Sequence, residues 1–172
     1  MHKNGISESG IRKATRDDVP AILRLIHGLA VYEKAADEVL ATEDNLMESL
    51  FVKNPQVYCH VATQNDVVVG IAIWHLNYST WLGKHGIYLE DLFVIPGARG
   101  QGHGLALLRE LAKICVEKGY PRLQWWVLDW NRPAIDFYES LGTEAMSEWT
   151  TFRMTGNAIS NLATPHLKKP NQ

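Results

Sequence analysis

Between Ile87 and Lys118 the chain sets three segments in a row: an apolar, β-branched and aromatic run to Ile95, the glycine run R-G-Q-G-H-G from Arg99 to Gly104, and apolar residues at helical spacing from Leu105 onward. The first reads as a strand and the last as a helix. Alternate glycines at a strand-to-helix junction let backbone N–H groups approach a ligand closely, and the helix that follows points the positive end of its dipole at the same place. The ligand suited to such a turn is a pyrophosphate.

The common loops of this kind differ at defined positions. A nucleoside triphosphate loop closes on Lys and then Ser or Thr, whereas Gly104 is followed by Leu105 and Ala106, so that reading fails. A dinucleotide fingerprint is G-x-G-x-x-G, and the run here is G-x-G-x-G, although Asp129, about 25 residues on, stands where a ribose-binding acid would. That reading stays open, as does a glycine-rich turn with no ligand.

Along the rest of the chain the patterning alternates strands and helices. Ile11 to Ala14 reads as a short strand and Asp17 to Glu33 as a helix, with Val19, Ile22, Leu23, Ile26 and Leu29 or Ala30 on its apolar face. Thr42 is placed to cap a shorter helix through Phe51. Val57 to Thr63 and Val67 to Tyr78 read as strands joined by the turn Gln64-Asn65-Asp66. Beyond the loop helix, whose face is expected to carry Leu105, Leu108, Ala112 and Cys115, come a strand from Arg122 to Leu128, a helix from Arg132 to Leu141 and two short strands ending near Met154. This order predicts an α/β (α+β) three-layer domain around one mixed sheet, spanning residues 11–155, with a polar segment at 1–10 and a polar tail at 156–172.

Two motifs together narrow the reading. R-x-x-G-x-G at Arg99, Gly102 and Gly104, with N-x-x-A-x-x-F-Y from Asn131 to Tyr138, resembles the acyl-CoA binding motifs of the GNAT superfamily of N-acetyltransferases. Y-S-T-W (78 to 81), Y-L-E-D (88 to 91) and V-L-D-W-N (127 to 131) are similar to the spermidine/spermine and thialysine acetyltransferase group, and the resemblance runs from about Ile11 to Met154. It implies a sheet that splays apart between the Y-L-E-D strand and the Trp125-Trp126 strand, with the pantetheine arm of acetyl-CoA in the opening. It also implies that backbone groups of Leu92, Phe93 and Val94 bond the pantetheine and acetyl carbonyl. The pyrophosphate then falls to the amides of Gly100, Gln101, Gly102, His103, Gly104 and Leu105, with Arg99 as a nearby cation.

Acetyl transfer from a thioester to an amine needs no enzyme nucleophile, because the amine attacks the carbonyl itself. Its obstacle is protonation: an amine with pKa about 10.4 is almost all ammonium at pH 7, a handicap of roughly 4 to 5 kcal/mol. Such a site needs a proton acceptor and a proton donor for the departing thiolate. The resemblance puts the base, acting through water, at Glu90 and the donor at Tyr138. A phenol, with its pKa near about 10, stays protonated for that role. Taken as bare residues, Glu90 is also a plain strand carboxylate and Tyr138 a packing tyrosine beside Ala134, Phe137 and Leu141. Strand periodicity sends the neighbours Glu90 and Asp91 to opposite faces unless a bulge intervenes.

Asn131 reads as a helix N-cap with Pro133 in the first turn, and the resemblance adds cofactor contacts from Asn131, Pro133 and Ala134. Substrate contacts implied for a cationic amine are Glu33, Trp81, Asp91, Trp126 and Glu148. One of Trp125 and Trp126 is expected to face the core and the other the acceptor side. The chain departs from the polyamine enzymes at Ser79, where they carry aspartate, and in the lengths of the segments before Tyr88 and Trp149. Those departures bear on acceptor choice and leave the transfer machinery intact.

A net charge of -2 and a pI near 6.4 provide no field for collecting nucleic acid or anionic lipid. Cys59 and Cys115 read as buried core thiols, no metal-ligand spacing is present, and no apolar run is long enough to span a membrane. With a polar start, these features lead to the expectation of a cytoplasmic enzyme for a small-molecule amine. The resembling enzymes imply a homodimer, which the apolar Trp149 and Phe152 suit. A protein-lysine acetyltransferase and a non-catalytic acyl-CoA-binding module are the alternatives.

Overall fold

A computed structural model describes residues 9–164, which fall into two compact units divided after Trp126. The first is built on a five-stranded sheet: β1 (Ser9–Lys13), β2 (Val57–Gln64), β3 (Val67–Ser79), β4 (Lys84–Val94) and β5 (Leu123–Gln124), in spatial order 1-2-3-4-5. The first four pair antiparallel, and β5 joins β4 in parallel. A tight β2–β3 turn is made possible by positive φ at Asn65 and Asp66, residue types that tolerate it.

Helices α1 (Val19–Tyr32) and α2 (Glu43–Leu50) cover one face. Their core joins Ile22, Leu25 and Leu50 to Cys59, Val61, Ile71, Ile73 and Phe93 from the strands. Thr42 caps α2 as its sequence position predicts, accepting from the Asn45 amide at 3.2 Å while the Asn45 side chain accepts from the Thr42 amide at 3.1 Å. At Gly28 a Cβ would stand 2.9 Å from the Phe93 ring, so the glycine lets α1 lie close against β4. The helix that follows the glycine run, α3 (His103–Lys118), covers the opposite face with Leu107, Leu108, Leu111 and Cys115. The unit is therefore the helix–sheet–helix sandwich expected.

Several local expectations are corrected. On α3, Leu108 and Cys115 are buried as expected, whereas Leu107 and Leu111 take the places expected of Leu105 and Ala112, and Ala112 is exposed. On α1, Leu25 is buried in place of Leu23. The expected strand from Arg122 to Leu128 pairs only at Leu123 and Gln124, opposite Ile87 and Tyr88. Past that point β4 continues from Leu89 to Val94 with no strand on its β5 side among the described residues, which is the splay the sequence resemblance implies.

The second unit, from Val127, holds α4 (Arg132–Glu139) and α5 (Asn157–Ala163). The two short strands expected before Met154 are absent from the described residues, and α5 lies in the segment expected to be a polar tail. Apolar spacing around Trp149 and Phe152 suits a strand, but a strand needs a partner, and neither residue is packed: they are 71% and 91% exposed. Arg132 holds α4 together along its exposed side, reaching Asp136 at 2.6 Å and Glu139 at 3.0 Å. No described helix is long and apolar enough to cross a membrane.

Candidate active site

The glycine run forms the link between β4 and α3. Gly100 and Gly102 have φ of +75° and +85°, left-handed values that an L side chain resists, and a Cβ at either would point into open space. Gly102 is the N-cap of α3 and brings no side-chain acceptor to the first N–H groups of this 16-residue helix. The turn thus presents bare backbone donors and a helix dipole outward, a cradle that fits a pyrophosphate. Arg99 is fixed beside it: its Nε donates to the Val94 carbonyl at 3.0 Å, and its guanidinium lies 4.9 Å from the Tyr32 ring centre and 5.5 Å from that of Phe93. Gln101 is tied down by Gln64 at 2.9 Å, and His103 is buried in the first turn of α3. The backbone of Leu92, Phe93 and Val94 leads from this loop along the splayed edge.

Next on β4 stands a bulge. Ile73 pairs with Asp91 and Trp74 with Leu89, so Glu90 is the extra residue with no partner in β3. Strict alternation, expected to send Glu90 and Asp91 to opposite faces, is broken there. Asp91 shares the α1 face with its partner Ile73, and the Glu90 carboxylate reaches that face as well, 3.9 Å from Nδ1 of His75. Burial and the negative charges of Glu90 and Glu33 push the Asp91 carboxyl up to about 6. Glu33, the C-cap of α1, is half-buried and raised by that burial. The charges of Glu33 and Glu90 therefore act on Asp91 beside the open edge of β4.

An aromatic rim continues from them. Tyr88 tilts against His75 at 5.0 Å and meets Trp126 edge-on at 5.7 Å, with Trp126 58% exposed and Trp125 half-buried. Trp81 is elsewhere: it sits in the β3–β4 turn, 91% exposed, beyond the last pair Ser79–Lys84. His75 is the member of this cluster that sequence patterning missed, because a lone histidine in an apolar strand carries no motif.

The remaining expected residues belong to the second unit. Asn131 begins α4 and is buried, but its cap is its backbone carbonyl, which accepts from the Ala134 and Ile135 amides at 3.1 Å and 3.0 Å; the side chain does not cap. Pro133 and Ala134 lie in the first turn, and Tyr138 is half-buried with its ring 5.4 Å from that of Phe137. Glu148 is exposed.

Residues 23–143 match the sequence model of the acetyltransferase (GNAT) family. The chain is a GNAT acetyltransferase. It is 40% identical over 164 residues to a thialysine N-epsilon-acetyltransferase of Bos taurus, covering 89% of this chain and 96% of that protein. It is 34% identical over 199 residues to an L-ornithine N5-acetyltransferase of Arabidopsis thaliana, covering 90% and 87% of the two chains. Among solved structures, an integron cassette protein from the V. cholerae mobile metagenome superposes with a TM-score of 0.75 at 28% identity, over 90% of this chain and 97% of that one.

Proposed function

We propose that this enzyme acetylates a primary amine of a small, lysine-like or polyamine-like molecule, with acetyl-CoA as donor. The observation that carries the reading is the bulge that frees Glu90 beside Asp91 on the splayed strand leading to the pyrophosphate cradle, with Glu33 near enough for its charge to act on Asp91. Carboxylates there attract an ammonium, and a bound cation offsets the burial and repulsion that raise the Asp91 carboxyl. The thialysine and ornithine enzymes among the relatives support a short diamino acid as the acceptor.

Acetyl-CoA, when bound, supplies an activated acetyl group and a good leaving group. The amides of Gly100 to Leu105 hold its pyrophosphate, Arg99 adds positive charge, and the backbone of Leu92 to Val94 aligns the pantetheine arm. Asn131, Pro133 and Ala134 contribute further contacts at the start of α4. Glu90 accepts the amine proton through water, which offsets the protonation handicap of the acceptor. Tyr138 gives its hydroxyl proton to the departing thiolate. Trp126 flanks the amine, and Trp81 and Glu148 are the outer contacts implied by sequence resemblance.

Two further readings belong with this one. The exposed Trp149 and Phe152 support a homodimer, and the two buried free thiols support a reducing compartment such as the cytoplasm.

Release of free thiol from acetyl-CoA, followed against thialysine, ornithine, spermidine, and lysine-containing peptides, tests the assignment. Turnover of a short diamine at least about tenfold more efficient than that of any peptide is expected. Preference for the peptides establishes a protein-lysine enzyme, and no release with any amine while acetyl-CoA still binds establishes a binding module.

A further inference from the structure

Glu90 does not face the acceptor side alone. The bulge that frees it from pairing brings its Oε2 to 3.9 Å from Nδ1 of His75, which stands on the neighbouring strand opposite Tyr88. The two side chains are 59% and 37% exposed, so both are reached by water. A separation of 3.9 Å is too long for a direct hydrogen bond and is closed by a small turn of the glutamate side chain. The imidazole is held for that contact by the Tyr88 ring, tilted against it at 5.0 Å.

We propose that His75 unloads Glu90, taking the proton its carboxylate has received from the amine and passing it to solvent. The inference rests on Glu90 being the base. His75 acts through Glu90 and touches neither substrate nor donor, so it is a positioning residue. In the first step an N–H bond of the amine breaks as an O–H bond forms on Glu90. In the second that O–H bond breaks as Nδ1 of His75 gains the proton, which restores the carboxylate and leaves an imidazolium. The imidazolium then loses the proton on Nε2 to water or buffer. The second N–H proton of an ammonium acceptor replaces the one that Tyr138 gives to the thiolate, so that one proton net leaves per acetyl group transferred. No electrons change hands.

Asp91 and Tyr88 from β4, Glu33 and Tyr32 from the end of α1 and the Cys59 thiol from β2 are titratable groups on this face, and the Arg99 guanidinium lies over the Tyr32 and Phe93 rings on it. Histidine is the side chain that changes charge most readily between about pH 5 and 8, so it accepts and releases a proton within one turnover.

The test uses the full chain with acetyl-CoA and thialysine, as wild type, Glu90→Gln, His75→Gln, His75→Tyr and the double variant E90Q/H75Q. In dilute buffer, kcat/KM of the wild type is expected to fall with a logarithmic slope approaching about 2 below neutral pH, one proton for the amine and one for the imidazole. His75→Gln should show a slope of about 1, run about tenfold slower near neutral pH and recover on addition of free imidazole. His75→Tyr retains a ring against Tyr88 and should match His75→Gln, which separates proton transfer from packing. The double variant should be no slower than Glu90→Gln alone. His75 variants with the wild-type profile and no response to imidazole, beside an impaired Glu90→Gln, overturn the relay and leave the base in place. A Glu90→Gln enzyme with the wild-type profile overturns both.

Discussion

Glu90 and Asp91 are consecutive in β4 and yet serve the same face of the sheet, because Asp91 keeps its pairing with Ile73 while Glu90 occupies the bulge before it. The cost falls on Asp91. Its carboxyl is pushed up to about 6 by burial and by the charges of Glu90 and Glu33, above its ordinary value of 3.8. The folded protein therefore holds a proton there that the unfolded chain has already lost. For this group stability is greatest below about pH 4, declines as pH rises through 6 and stays reduced above it. Asp91→Asn should be more stable than wild type at pH 7.5, by on the order of 1 to 2 kcal/mol, and equal to it near pH 4. Melting temperatures at the two pH values decide the point, and KM for the amine should rise in the same variant.

Arg12 and Asp18 form the opposite case. Arg12 donates to both carboxylate oxygens, at 2.6 Å and 2.8 Å, and the Thr15 amide adds a bond of 2.7 Å, so Asp18 is held down to about 2. The carboxylate is buried and ties β1 to the start of α1. Its stabilisation is complete above pH 4 and is lost as pH falls towards 2. Asp18→Asn is expected to lower stability by about 1 to 2 kcal/mol at pH 7 and to converge with wild type near pH 2. Urea denaturation at both pH values measures the difference.

The strand before the glycine run and α3 after it were legible because their signals are local: β-branched spacing, left-handed glycines, and a 3.6-residue repeat. Thr42 as a cap was legible for the same reason. The bulge was not, since it is a mismatch between β3 and β4 that neither strand carries alone. Trp125 to Leu128 have strand composition, but pairing ends at Gln124, and what terminates a ladder is the partner strand. At Asn131 the position of the N-cap was read correctly, but the acceptor is the backbone carbonyl and not the side-chain oxygen, since either can accept from the Ala134 amide. His75 became visible only when the fold brought it to Glu90.

The cradle itself makes a sharp contrast between two glycines. Gly102, at φ +85°, caps α3, whereas Gly97 lies outside the left-handed region and a Cβ there meets nothing within 4 Å. Gly102→Asp adds backbone strain and a negative charge where phosphate oxygens are proposed to lie, and should reduce acetyl-CoA affinity by at least about a hundredfold, some 2.7 kcal/mol. Gly97→Ala should bind as wild type does. Isothermal calorimetry on both proteins separates a site at the cradle from binding elsewhere.

Tyr138 lies on α4 with its ring against Phe137, so removing the hydroxyl leaves the packing of the ring unchanged. Tyr138→Phe is expected to lower kcat by roughly ten- to a thousandfold with little change in acetyl-CoA affinity, the pattern of a lost transition-state proton donor. An unaltered kcat would make the tyrosine a packing residue and leave the thiolate to be protonated from solvent.

Ser79 bears on the acceptor. It ends β3, pairs with Lys84, and its hydroxyl accepts from the Leu82 amide at 3.2 Å, so it serves the hairpin turn. The polyamine enzymes that the chain resembles carry aspartate at this position. Without that carboxylate, the far ammonium of a long polyamine lacks one partner, and an unpaired charge in a partly desolvated site costs ten- to a thousandfold in specificity, or roughly 1.4 to 4 kcal/mol. In the proposed function a short acceptor would place its reactive amine beside Glu90 and Asp91 and would need no distal anchor. Thialysine, whose sulfur lowers the amine pKa and eases deprotonation, should therefore show a higher kcat/KM than spermidine or spermine. In Ser79→Asp the ratio should move towards spermidine. Spermidine turned over at least about tenfold more efficiently than thialysine by the wild-type enzyme would remove Ser79 from the argument and make the three carboxylates a polyamine site.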